Sequence, residues 1–149
     1  MQYFGGKQRI SKYIIEFLNN NLNDSKYFFE PFVGGANIVP FINLEKKYAS
    51  DKNEYLIEMY IALQSGWIPP QNVSEEEYQS IKKNKDENKA LTSFAGFGCS
   101  FAGKWFGGYA RNKIKHNYIK FFVNTTQSYG ECYVKYEYLK KVDKIRLFV

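Results

Sequence analysis

The sequence predicts an α/β protein built on an open, doubly wound parallel sheet, and three observations lead there. The first half alternates as helix, strand, glycine loop, helix, strand, acid, helix, which is the opening order of such a sheet. Two carboxylates, Glu30 and Asp51, stand at the ends of the two predicted strands, 21 residues apart. The length of 149 residues suits one domain with a sizeable core.

Each element has its own signal. In "ISKYIIEFLNNNL", Ile10, Ile14, Phe17, Leu18 and Leu22 fall at helical spacing. Ser11 or the preceding loop starts that helix, and the Asn run ends it. "SKYFFEPF" reads as a short buried strand ending at Glu30-Pro31. "ANIVPFI" reads as a helix in which Pro40 is tolerated only near the first turn. "KKYASD" is a second short strand, ending at Asp51. "NEYLIEMYIALQ" is a helix with Leu56, Ile57, Tyr60, Ile61 and Leu63 on a broad apolar face, broken by Gly66 and Pro69-Pro70. "SEEEYQSIKKNKDENKA" reads as a polar helix, acidic in its first turn and basic later, as the helix dipole favours. "SFAGFGCSFAGKWFGGYARNK" is rich in glycine and aromatics and has no helical or strand period. "KHNYIKFFVNTTQ" is a helix candidate and "VDKIRLFV" a strand candidate.

Composition excludes several classes. No run of 18 apolar residues exists, so no membrane span is expected. The N-terminus "MQYFGGKQ" has no apolar core of a signal peptide. Cys99 and Cys132 suit a reduced, cytosolic protein, and without a CxxC or a His cluster no zinc site is expected.

Charge is uneven along the chain. Residues 1–78 carry 7 Lys+Arg against 10 Asp+Glu, a net of −3, while residues 79–149 carry 14 against 5, a net of +9. From Asn88 to Gly130 there is no carboxylate, whereas Lys89, Lys104, Arg111, Lys113, Lys115 and Lys120 are present. That asymmetry points to a phosphate-rich partner for the second half, against the alternative of a solvated basic face.

The loop "EPFVGGAN" is the chemical centre of the first half. It contains neither G-x-G-x-x-G nor G-x-x-x-x-G-K-[ST], so it is no phosphate cradle. Glu30 would repel a pyrophosphate and suits a cationic group on a nucleoside, such as an ammonium or a sulfonium. The paired glycines let the backbone approach a ligand closely. Asp51 is placed to accept two hydrogen bonds from a ribose diol. S-adenosylmethionine combines a ribose diol, an ammonium and a sulfonium. A plain glycine turn beside a surface acid is the alternative, and it leaves the strand-end position of Asp51 a coincidence.

Four stretches, in order, resemble the Dam-type adenine-specific DNA methyltransferases, especially phage-type members. "YFGGKQRI" resembles their opening motif, "EPFVGGANI" the first cofactor motif, "ASDKNEYLI" the acid motif after the second strand, and "FAGFGCSFAGKWFGGYARN" part of the target-recognition region. "LKKVDKIRLFV" resembles the strand that leads toward the catalytic segment. The resemblance implies a Rossmann-like class I methyltransferase fold with an apparently incomplete sheet and a mainly helical target-recognition insertion. Residues 1–64 would be the first half of the S-adenosylmethionine domain, 65–130 the recognition insertion, and 131–149 the return to the sheet. It implies DNA adenine-N6 methylation with S-adenosylmethionine as donor, double-stranded DNA as partner, and the cytoplasm of a bacterium or phage-infected host, as in restriction-modification.

By position, the resemblance makes Tyr3, Lys7, Glu30, Phe32, Gly34 and Asp51 cofactor-binding residues. Together with the charge pattern, it makes Lys104, Arg111, Asn112 and Lys113 DNA-binding residues. Competing readings exist for several of these. Tyr3 and Phe4 would then be a packed terminal anchor, Lys7 a solvated charge at a helix start, and Phe32 a core residue. The aromatics Phe94, Phe97, Phe101, Trp105, Phe106 and Tyr109 suit a loop core better than base stacking.

One feature departs from the family. Its members carry Asp-Pro-Pro-Tyr or a close variant after the recognition region, where it holds the extruded adenine and its amino group. These 149 residues contain no such segment; their one Pro-Pro, Pro69-Pro70, follows Ile68. Without those acceptors nothing orients the amino nitrogen for attack, so the chain alone is expected to be inactive. A truncated methyltransferase, one half of a split enzyme, and a non-catalytic DNA- or partner-binding derivative all fit. A second polypeptide or self-association is expected to complete the sheet.

Overall fold

The computed structural model describes residues 3–111 and 145–149. Its architecture is mixed α/β. Three parallel strands, β1 (Phe28–Glu30), β2 (Lys47–Ser50) and β3 (Ile145–Phe148), lie in the order β1-β2-β3. Glu30 aligns with Ala49, and Ala49 with Leu147; Phe29 aligns with Tyr48, and Tyr48 with Arg146. Because side chains alternate across a strand, Glu30 and Ala49 face the core, while Phe29 and Arg146 face away from it and are exposed.

Among the described residues four α-helices accompany the sheet: α1 (Ser11–Asn20), α2 (Glu54–Gln64), α3 (Glu75–Lys83) and α4 (Lys89–Ser93). Helix α2 is the core element. The Asn53 side chain caps its start by accepting the Leu56 N–H. Its end is a Schellman motif around Gly66 (φ +89°), with Gly66 N–H donating to Leu63 and Trp67 N–H to Ala62. The helix buries Leu56, Ile57, Met59, Tyr60 and Leu63 in one cluster with Ala49 and Ile145. Met59 takes the buried position that the periodicity assigns to Ile61, which is exposed.

Two expected helices are corrected. The "ANIVPFI" stretch forms only a 3-10 turn, Val39–Phe41. Gly34 (φ +45°) and Ala36 (φ +50°) are left-handed, which interrupts any helix from Ala36, and Pro40 supplies no N–H to continue one. The polar stretch from Ser74 splits into α3 and α4. A capping box between Ser74 and Glu77 opens α3, and Asn84 closes it. The Asn88 side chain then caps α4 through the Leu91 N–H. Asparagine bonds to nearby backbone more readily than it continues a helix, and this decides the split.

The aromatic-rich stretch, read as lacking a period, continues α4 as a π-helical turn, Phe94–Gly98. Phe94, Phe97 and Phe106 are buried in the main cluster, as a loop core requires, whereas Phe101 is exposed. Gly96 allows this packing: a Cβ there would meet the Trp105 ring at 2.5 Å and the Phe106 ring at 2.8 Å. Residues 112–144, with the "KHNYIKFFVNTTQ" helix candidate, lie outside the described residues.

Candidate functional site

The site forms where β1 and β2 end, because parallel strands deliver their C-terminal loops to one edge of the sheet. Val33 N–H donates to Ser50 O at 2.9 Å, and the Ser50 hydroxyl donates to Pro31 O at 3.0 Å, so the two loops leave the sheet tied together.

Gly34 is held on three sides. Its N–H donates to Asp51 Oδ2 at 2.9 Å. Its carbonyl accepts the Tyr60 hydroxyl at 2.7 Å in a buried bond. The ring of Tyr3 covers its α-carbon so closely that an added Cβ would sit 3.3 Å from two ring atoms. Asp51 Oδ1 accepts the Asn53 N–H at 3.0 Å, which links the acid to the cap of α2. Each Asp51 oxygen thus takes one backbone donor and keeps a second lone pair for another hydrogen bond.

Glu30 is buried, only 6 % exposed. Its Oε2 accepts the Val39 N–H at 3.0 Å. Lys7 Nζ stands 3.1 Å from Oε1 but donates its aligned hydrogen bond to Phe32 O at 2.8 Å. Oε1 is therefore charge-paired but has no aligned donor. Burial raises the Glu30 carboxyl above the ordinary carboxylate value, and Lys7 and the Val39 N–H oppose that rise. Burial, then the charge of Asp51, raises the Tyr3 hydroxyl.

Five of the predicted cofactor residues lie along this one loop in two groups: Tyr3 and Asp51 contact Gly34, and Lys7 pairs with Glu30 and bonds Phe32 O. Lys7 is paired, which corrects its reading as a solvated charge. Phe32 is 75 % exposed, which corrects its reading as core. Tyr3 does anchor, its ring meeting that of Phe97 at a tilt of 38° and 4.9 Å between centroids, while Phe4 is exposed and its N–H donates to Gly103 O at 3.2 Å.

The predicted DNA-binding residues lie on another segment. Arg111 follows a short antiparallel bridge between Ser100 and Tyr109. Its guanidinium forms a bidentate pair with Glu75, the first residue of α3. That contact corrects the picture of a carboxylate-free basic stretch, because a distant part of the chain supplies the acid. Lys104 is exposed. Asn112 and Lys113 lie outside the described residues.

Sequence reasoning missed Tyr60 and Asn53. Tyr60 sits on the apolar face of α2, and the available signal was its hydroxyl, since a buried tyrosine needs a partner.

The donor set fits a nucleoside carrying a cationic amino-acid end. It offers a buried carboxylate oxygen without an aligned donor, a left-handed glycine with no side chain, and a half-buried acid with lone pairs to spare. Fold and site thus define an α/β protein with a candidate ligand site at its strand ends. A family model for D12 class N6 adenine-specific DNA methyltransferase matches residues 3–97, and the chain belongs to that family. A comparison with curated proteins finds no match.

Proposed function

We propose that this chain is the cofactor-binding and DNA-contacting part of a DNA adenine-N6 methyltransferase. We propose further that the 149-residue polypeptide alone binds without transferring the methyl group. S-adenosylmethionine supplies a methyl group activated by a sulfonium. The observation that carries this reading is the convergence of Glu30 and Asp51 on the Gly34 loop, one acid buried and charge-paired, the other half-buried with spare acceptor capacity.

In this reading Glu30 binds the cationic amino-acid end and Asp51 the ribose hydroxyls. Gly34 gives backbone access, Tyr3 walls the loop, and Phe32 supplies an exposed apolar surface at the rim. Lys7 opposes the rise that burial imposes on the Glu30 carboxyl and is available to a ligand carboxylate. Residues 1–64 would form the cofactor half, 65–130 the DNA-contacting insertion, and 131–149 the return to a larger Rossmann-like sheet. Lys104, Arg111, Asn112 and Lys113 would hold phosphates, the sequence-independent part of DNA binding. The absence of Asp-Pro-Pro-Tyr from these residues supports inactivity, because no group is left to orient an adenine amino nitrogen.

Calorimetric titration with S-adenosylmethionine tests the site. The wild-type chain should give a saturable heat that Asp51→Ala and Glu30→Gln each reduce. Equal heats from all three proteins would sink the reading. Transfer of labelled methyl to adenine-containing DNA by this chain alone would overturn the claim of inactivity.

A further inference from the structure

The face of the sheet opposite the core is aromatic and uncovered among the described residues. Tyr27 and Tyr48 meet edge to face at 6.2 Å, and Tyr48 and Phe148 stack at 6.2 Å. With Phe29 and Ser50 they line an open cleft of about 540 Å³. The Arg146 guanidinium lies 5.8 Å from the centroid of the Tyr48 ring, so the cleft has a basic rim. Parallel sheets are ordinarily covered on both faces, usually by helices.

The core face carries the described parts of this chain's crossovers. Right-handed connections that step from β1 to β2 to β3 in one direction all lie on one side of a sheet. That side holds the Val39–Phe41 turn and α2, both packed in the core with Ala49. None of these described parts covers the aromatic face.

Helix α1 is half-buried along Ile14, Ile15 and Leu18, and Asn19 donates to Phe41 O and accepts the Asn43 N–H, but its other face is unspent. It buries no residue. Ile10, just before it, and Tyr13 and Phe17 within it form one exposed stripe at helical spacing. Ten residues of helix are about 15 Å long, enough to cross three strands about 4.8 Å apart. Glu16 flanks the stripe and has the charge that the Arg146 rim lacks.

We propose that two copies of this chain associate reciprocally, α1 of each lying on the aromatic sheet face of the other. The contact is isologous, so each copy gives a helix and receives one. Ile10, Tyr13, Phe17, Tyr27, Phe29 and Phe148 are 49 % to 72 % exposed in the single chain. Two copies then bring on the order of 1,400 Å² of apolar surface, within the range of a stable interface. Glu16 meets Arg146 of the other copy, which sets the direction of the helix across the strands.

Sedimentation equilibrium of the full chain tests this, with circular dichroism confirming that each variant is folded. The wild type should weigh twice the 17.5 kDa of one chain. Phe17→Asp, which spoils the helix, and Phe29→Asp, which spoils the sheet face, should each weaken association at least 100-fold. An equimolar mixture of the two variants keeps one intact contact and should regain a heterodimer. Glu16→Arg should weaken association about 10-fold, and adding Arg146→Glu should restore it. A monomeric wild type at 100 μM would overturn the proposal and assign the face to another stretch of polypeptide. Association unchanged by Phe17→Asp, or no complex in the mixture, would overturn it equally.

Discussion

Asp51 accepts the N–H of Gly34 at 2.9 Å, across 17 residues of chain. This bond fixes the glycine loop after β1 against the acid after β2. The same carboxylate accepts the Asn53 N–H, and Asn53 caps α2, so one side chain joins the loop, the strand end and the core helix. Replacing Asp51 by Ala removes two charge-assisted bonds and should destabilise the fold by roughly 1–3 kcal/mol. Urea denaturation measures that loss. Asp51→Asn keeps an acceptor for one donor and should lose less.

The buried carboxyl of Glu30 makes stability depend on pH. Its value in the fold is raised above the ordinary 4.5, so the folded chain keeps a proton that the unfolded chain has released. Its contribution therefore favours the fold below 4.5 and is lost as pH rises through the raised value. Glu30→Gln should remove this part of the pH dependence of the melting temperature. On the proposed reading, affinity for S-adenosylmethionine should rise over the same window, since a cationic ligand selects the ionised carboxylate.

Gly96 lies beneath the Trp105 ring, which also contacts Phe97 at 4.6 Å and Phe106 at 4.9 Å between centroids. The ring is half-buried, so a Cβ at Gly96 must push it away from these two neighbours. Gly96→Ala should destabilise by about 1–3 kcal/mol, the usual range for overpacking. Thermal melts and Trp fluorescence report it together, since the displaced indole becomes more exposed to water.

The Arg111–Glu75 pair is exposed and should add little to stability, about 0–1 kcal/mol. Its effect on DNA should be larger. Glu75→Ala releases the guanidinium and should tighten binding to a DNA duplex, whereas Arg111→Ala should weaken it. If Arg111 holds one phosphate, its removal lowers the slope of log affinity against log salt by about 1. Fluorescence anisotropy at several salt concentrations checks both directions.

The sequence by itself determined where the strands and helices α1 and α2 fall, and their order. Both short strands end where the "EPF" and "ASD" motifs indicate, and α2 stops at the glycine that permits a left-handed turn. These features are local, fixed by backbone preference and apolar period, so they are legible along the chain. Lost helicity after Gly34 and the split at Asn84 were local too, but there glycine, proline and asparagine outweighed the apolar pattern. Glu30 and Asp51 were legible as strand-end acids, and the parallel sheet brought them to one edge.

Only the tertiary structure decided partners. It gave Lys7 to Glu30, the Tyr60 hydroxyl to Gly34, and Glu75 to Arg111. These contacts join residues 23 to 36 positions apart, and neither charge counts nor periodicity carry pairing over such separations. It also decided exposure: a sequence pattern marks an amphipathic helix or an aromatic strand but does not say what covers it. Here α1 and the outer face of the sheet are both apolar, and their coverage depends on how elements meet in space.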